Sequence, residues 1–228
     1  MVSAKIQKWC AWGGVANMTV YCIGMLFAHF LPVPSPALSA DQVAAMFQEN
    51  TTGIRIGSIF MLASGFFLVP LIGLISAFMK RIEGDMPVMA YGQLAAGALG
   101  ILFFYVPAVI FFVMAFRPER SPELILLFYD FTWMVMIVAW PSFVFQQGCI
   151  ALAIFSDKSA QPIFPRWLGF FQLWTALLYC GSFLLPFFKT GPFAWNGLFA
   201  FWIPGIVFYI WGFVMAFMLV KAVDQQRT

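Results

Sequence analysis

The chain has 228 residues, of which 63% are hydrophobic and 9% are charged, and its formal net charge is +3. The charged residues stand in short groups between apolar runs of about twenty residues or more. This pattern excludes a soluble globular domain and predicts an all-α, polytopic transmembrane helical bundle, because a helix satisfies its own backbone hydrogen bonds in hydrocarbon. The small positive charge does not indicate a nucleic-acid partner.

Six predicted spans use nearly the whole chain, which makes it a single transmembrane domain over residues 1–228. They are Trp9–Leu31, Ile54–Met79, Val88–Phe116, Phe131–Phe155, Trp167–Phe187 and Gly197–Val220. Lys5 and Lys8 precede the first run, as they would in a signal peptide, but the length of that run favours a retained membrane anchor.

The basic residues predict the orientation, because Lys and Arg accumulate in short cytoplasmic loops. With the N-terminus inside, the cytoplasmic set is Lys5, Lys8, Lys80, Arg81, Lys158, Arg166, Lys221 and Arg227. The outer set is Arg55, Arg117, Arg120 and Lys189. The larger set lies inside, so both termini are predicted to be cytoplasmic (N-in/C-in).

A short amphipathic helix is predicted between the first two spans. Ser39 and Gln42 have the spacing of a capping box, and Val43, Met46 and Phe47 fall on one helical face. We expect this helix to lie on the outer membrane interface; the alternative is that it folds over the mouth of the bundle.

Proline interrupts or ends five of the spans, at Pro70, Pro107, Pro141, Pro186 and Pro204. Each proline removes a backbone donor and bends its helix unless neighbours compensate. Broken helices occur at transport sites, although proline is common in membrane helices generally. Residues 100–111 and 197–208 are similar in sequence without gaps. The chain could therefore consist of two three-span halves related as an inverted repeat, and this hypothesis stays open.

The polar residues inside the spans are the candidate functional residues, because they are costly in hydrocarbon. They form two stripes at steps of three and four residues: Asp130, Trp133, Ile137, Trp140, Val144 and Gln147 in the fourth span, and Gln172, Thr175, Tyr179 and Ser182 in the fifth. Neither face is suited to lipid, so we expect the two stripes to meet inside the bundle.

Two interpretations of these residues stay open. In the first, Arg55, Arg117 or Arg120 forms a salt bridge with Asp130, and the amides and hydroxyls join helices by hydrogen bonds. In the second, the residues form a ligand site. Its candidate members are Asp130, Trp133, Trp140, Gln147, Gln172, Thr175, Tyr179, Arg55 and Arg117. Aromatic walls with few polar groups suit a sterol, terpenoid, lipid or hydrocarbon.

Several chemistries are excluded by the residues that the sequence lacks. His29 is the one histidine, and the four cysteines form no Cys-x-x-Cys pair, so no metal site, haem ligation or other cofactor is predicted. Zinc-protease, serine-hydrolase, Walker and Rossmann motifs are missing. We therefore predict no catalytic residues and a protein that is not an enzyme.

The segment Ala40–Asn50, followed by Ile54-Arg55-Ile56-Gly57 at the start of the second span, resembles an uncharacterised bacterial family of six-span membrane proteins. The resemblance covers about the first third of the chain. It implies a six-helix protein of the bacterial cytoplasmic membrane, which the short loops also suit, and it supplies no functional residues.

The favoured function is the binding or transport of a lipophilic small molecule in a cavity of the bundle, with membrane lipids as neighbours. One alternative is an accessory or structural subunit of a larger complex, with a membrane-protein partner or a second copy of this chain. The other is an intramembrane enzyme that uses Asp130 as an acid or base.

Overall fold

The structure is a computed structural model that describes residues 3–138 and 140–226, and every regular element in this part of the chain is helical. The α-helices are α1 (Ala4–Ala11), α2 (Gly13–Phe27), α3 (Ala40–Glu49), α4 (Thr51–Ser64), α5 (Leu68–Glu83), α6 (Val88–Phe116), α7 (Pro122–Ile137), α8 (Trp140–Ser156), α9 (Arg166–Tyr179) and α10 (Ile203–Gln225). Tighter 3₁₀ turns cover Gly65–Phe67 and Cys180–Phe187, and a wider π turn covers Leu198–Trp202.

Five continuous stretches among the described residues are long and apolar enough to cross a membrane. They are Thr51–Glu83, Val88–Phe116, Pro122–Ser156, Arg166–Phe187 and Leu198–Gln225. Helices α1 and α2 supply a sixth crossing if this pair, bent by 44°, counts as one span. The predicted all-α, multi-pass membrane architecture is therefore confirmed, with five or six spans.

Helix α7 ends close to a proline for a simple reason. Pro141 is the second residue of α8, and its missing N–H leaves the carbonyl of Ile137, four residues earlier, without a helical donor. Helix α7 accordingly ends at Ile137. The residues predicted as one stripe are therefore divided between two helices, with Asp130, Trp133 and Ile137 on α7 and Val144 and Gln147 on α8.

The two proline segments that resemble each other in sequence fold differently. Pro107 lies inside the unbroken helix α6, whereas Pro204 directly follows the π turn Leu198–Trp202 at the start of α10. Pro186 likewise lies inside a 3₁₀ turn. These irregular segments lie side by side, because the Ser182 hydroxyl donates to the carbonyl oxygen of Ala200 over 3.0 Å.

Helices α2 and α10 cross where two glycines meet. A Cβ added at Gly14 would lie 3.2 Å from the Cα of Gly212, so the two backbones are in near-direct contact there. At the same end of the bundle, Lys8 of α1 and Asp224 of α10 form an ion pair at 2.6 Å. We call this the terminal end of the bundle, and the opposite end the α3 end.

Helix α3 folds over the mouth of the bundle. Its capping box between Ser39 and Gln42 is present, so the predicted helix is confirmed. Its apolar face, with Val43, Ala44 and Phe47, is buried and packs mainly against α7. The expected position on the membrane interface is therefore wrong, because this face is covered by protein.

Candidate functional site

A cavity of about 510 Å³ lies between α2 and α10, in the half of the bundle nearer α3. It exists because the two helices touch at Gly14 and Gly212 and separate towards the α3 end. Its size falls within the range of about 300–1,000 Å³ that is usual for small-molecule pockets.

The walls of this cavity are apolar and aromatic. Helix α2 contributes Met18, Tyr21, Cys22 and Met25; the opposite wall contains Phe201, Trp202, Gly205 and Tyr209; and the inner wall contains Phe104, Phe143, Tyr179 and Phe208. No charged side chain is among the described residues that line it. Burial of an ion there would be costly, so the cavity suits an uncharged guest.

The few hydroxyl groups at the cavity are mostly occupied by protein partners. Tyr21 donates to the sulfur of Met136 over 2.6 Å, and Thr19 donates to the carbonyl of Val15 over 2.8 Å. The Tyr209 hydroxyl lies 3.3 Å from that of Thr19. The polar groups therefore hold the walls in place and leave an essentially hydrocarbon surface for a guest.

The cavity opens at the surface of the bundle between exposed apolar side chains of two helices. Leu26 of α2 is 58% exposed and Ile206 of α10 is 57% exposed, and the two side chains border the opening from opposite helices. A lateral opening bordered by apolar residues gives a membrane-dissolved molecule access without passage through water.

An aromatic cap closes the α3 end above the cavity. Its members are Phe30, Phe47, Phe111, Tyr129, Trp133, Trp195 and Phe201. The rings of Trp133 and Trp195 stack at 6.1 Å, and the Trp195 indole N–H donates to the carbonyl of Pro34 over 2.9 Å. The cap separates the cavity from the aqueous phase at that end.

The candidate residues of the fifth span act mainly within the protein. The Gln172 side-chain oxygen accepts from the indole N–H of Trp211 over 2.8 Å, and its amide nitrogen donates to the sulfur of Met215 over 3.2 Å. Thr175 donates to the backbone carbonyl of Gln172 over 2.8 Å. These contacts fit the interpretation of interhelical hydrogen bonds.

Tyr179 is the one member of the predicted site, among the residues whose side chains are described, that lines the cavity. Its ring packs 5.7 Å from that of Phe143, and its buried hydroxyl has no hydrogen-bond partner among the described residues. Gln147, one turn along α8 from Phe143, is fully buried, and neither atom of its side-chain amide has a partner in the described part of the chain. The side chain of Trp140 lies outside the described residues.

The expected salt bridge at the helix mouth does not form. Arg55 donates from Nε and Nη2 to the carbonyl of Ala115, over 3.1 and 2.8 Å, and Arg117 lies over the ring of Phe116 at 5.9 Å. Among the described residues, neither arginine pairs with Asp130, which is half-buried on α7. Arg55 is bonded instead to a free carbonyl at the end of α6.

The predicted site residues whose side chains are described thus lie in several separate places. Trp133 belongs to the aromatic cap, Gln172 and Thr175 to the α9–α10 contact, and the arginines to the end of α6. The walls formed by α2 and α10 were not predicted. Gly13-Gly14 and Pro204-Gly205 are the sequence signals that mark a close crossing and an irregular helix start there.

Comparison with protein-family models, with curated proteins and with solved structures finds no match to this chain. The resemblance of the first third to a bacterial six-span family therefore stays a prediction.

Proposed function

We propose that this protein binds an uncharged lipophilic small molecule, taken from the bilayer, in the lateral cavity between α2 and α10. The observation that carries the proposal is the cavity itself: about 510 Å³, lined by apolar and aromatic residues and bordered by Leu26 and Ile206 at its opening. Binding is the step that this geometry supports, and passage across the membrane is not part of the proposal.

Selectivity at such a site must come from shape and packing. A molecule that leaves lipid for this cavity gains little from the hydrophobic effect, since both environments are apolar. The rigid aromatic walls, with Phe143 packed on Tyr179 and on Phe208 at 5.7 and 5.4 Å, favour guests whose outline they fit. A sterol, terpenoid or acyl chain belongs to this class.

Gly205 is the position from which the cavity can be filled. A Cβ built there meets only the methyl group of Met18, at 3.8 Å, so a phenylalanine ring would extend into the empty space. Gly73 of α5 provides the matched control, because a Cβ there meets no atom within 4 Å and the residue is exposed. Both changes replace a helical glycine by the same residue.

The test is native mass spectrometry of the full chain in mild detergent, followed by lipid extraction. We expect one lipophilic molecule per chain in the wild type and in Gly73→Phe, and loss of that molecule in Gly205→Phe. Equal retention in the two variants would contradict the proposal. A chain that carries no such molecule and co-purifies with another polypeptide would favour the accessory-subunit alternative.

We further infer six crossings with both termini on the cytoplasmic side of a bacterial inner membrane. The support is the charge distribution: at the terminal end, Lys80 and Arg81 lie in the last turn of α5 and Lys158 in the loop after α8, against Lys189, Arg55, Arg117 and Arg120 at the α3 end. Reporter fusions after Lys158 and after Lys189 test this, with cytoplasmic activity expected at the first alone. The reverse pattern would refute the orientation.

A further inference from the structure

A groove at the α3 end, on another face of the bundle from the lateral cavity, combines positive charge with exposed apolar surface. We call it the arginine groove; it measures about 300 Å³ and is lined by Arg55, Phe112, Val113, Phe116 and Arg120. Arg55 lies in the second turn of α4, and Arg120 in the turn that follows α6.

Both guanidinium groups are held in place by the end of α6. Arg55 donates twice to the carbonyl of Ala115, and Nη1 of Arg120 donates to the carbonyl of Val113 over 2.6 Å. These are two of the last four carbonyls of the helix, which have no partner within it. The contacts fix the two side chains on either side of the same groove and restrict their rotation.

These contacts leave most of the donors unused. A guanidinium has five N–H groups, of which Arg55 uses two here and Arg120 uses one. In the described part of the chain, neither arginine forms an ion pair with a carboxylate. Two fixed positive charges with free N–H groups are suited to an oxyanion with several acceptor atoms, above all a phosphate.

The apolar part of the groove continues along α6. Phe116, Val113, Val109 and Leu102 are 69%, 39%, 48% and 47% exposed, and their spacing of three, four and seven residues places them on one helical face. This strip leads from the two arginines along the helix towards the middle of the span. A ligand with a phosphate at one end and a hydrocarbon chain at the other matches both parts.

We propose that the arginine groove binds a bilayer phospholipid, with the headgroup phosphate between Arg55 and Arg120 and an acyl chain along the exposed strip of α6. The occupant is assigned to the lipid and not to free phosphate because the apolar strip is continuous with the charged pair. This site is independent of the lateral cavity, which contains no charged residue among those described.

The test uses the full chain in mild detergent with added phosphatidylglycerol, and native mass spectrometry measures the lipid that is retained. Diacylglycerol with the same chains, which lacks the phosphate, is the ligand control. Arg117→Gln is the protein control, because it removes one positive charge from the same end but from outside the groove. Thermal unfolding of each variant shows that it is folded.

We expect Arg55→Gln with Arg120→Gln to weaken phosphatidylglycerol retention by about tenfold or more, since charge-assisted hydrogen bonds are lost. Arg117→Gln should change it by less than about twofold, and diacylglycerol should be retained weakly by every variant. If the double variant does not fold, Arg120→Gln alone, which loses a single capping bond, should show a reduced retention.

Several results of the retention measurement would overturn the assignment. They are an unchanged retention in the glutamine variants, an equal loss in Arg117→Gln, and a retention of diacylglycerol as strong as that of phosphatidylglycerol. Complete displacement of the lipid by millimolar inorganic phosphate would reassign the groove to free phosphate, and would also overturn it. Binding in the lateral cavity is tested separately, by the loss of the lipophilic molecule in Gly205→Phe. Either proposal can therefore fail without the other.

Discussion

Replacement of Gln172 by leucine tests whether this residue joins helices or serves a ligand. The amide is fully buried and bonds two residues of α10, Trp211 and Met215. Leucine has a similar volume, but it leaves the buried indole N–H of Trp211 without an acceptor. The Gln172→Leu change therefore removes the polar link between α9 and α10 with little change in packing.

The expected loss of unfolding free energy is about 1–2 kcal/mol. Interhelical hydrogen bonds in membrane proteins contribute about 0.6 kcal/mol on average and up to about 1.7. An unpaired buried N–H adds a cost of about 1–3 kcal/mol, reduced where the surroundings relax. Trp211→Phe removes the same bond from the other side, so the two changes together should cost about 1 kcal/mol less than their sum.

The assay is reversible unfolding in mixed micelles, arranged as a double-mutant cycle of Gln172→Leu and Trp211→Phe. Thr175→Val is the control, because the Thr175 hydroxyl bonds only within its own helix and its removal should have a small effect. A coupling energy of zero, or wild-type stability for Gln172→Leu, would refute the structural role. Loss of the bound lipophile at unchanged stability would instead support a ligand role for Gln172.

Two further predictions concern a buried amide and a partly buried carboxylate. Gln147→Leu should leave stability unchanged or raise it by up to about 2 kcal/mol, because its amide is buried without partners in the described chain; a clear loss in the same unfolding assay would contradict this. In the loop after α8, partial burial alone would raise the pKa of Asp157, but hydrogen bonds from Ser159 and from the N–H of Ile163 lower it. The pKa of Asp157 in the folded state thus lies below its value in the unfolded state, which is about 3.9. The ionised carboxylate therefore contributes fully to the free energy of unfolding above the unfolded-state pKa, and this contribution is lost as the pH falls through the folded-state pKa. The stability difference between wild type and Asp157→Asn should therefore be larger at pH 7 than at pH 3, and an equal difference would contradict the assignment.

The position of α3 illustrates how far the sequence alone could be used. The capping box of Ser39 and Gln42 and the apolar face with Val43 and Phe47 predicted the helix, because both signals depend only on neighbours along the chain. The surface that covers this face is α7, more than seventy residues away. A local pattern shows that a face must be buried, but it does not distinguish lipid from protein as the cover.

For the candidate site, too, the sequence identified the residues but not their partners. Gln172 and Asp130 stood out because a polar side chain inside an apolar run is costly wherever it lies. Their partners were not predictable, since a hydrogen bond to Trp211 or the approach of Arg55 to the end of α6 depends on how separate helices pack. The free carbonyls of a helix end compete with a carboxylate for an arginine, and only the three-dimensional arrangement decided in favour of the carbonyls.

Sequence by itself determined that this chain is an all-helical, multi-pass membrane protein, because hydrocarbon leaves the backbone no other way to satisfy its hydrogen bonds. It also predicted the interruption near Pro141, but not that Pro107 lies inside an unbroken helix. Tertiary structure alone decided where empty space lies. The lateral cavity follows from two helices that touch at Gly14 and Gly212 and then separate, and a crossing angle is a property of the pair that neither helix encodes by itself.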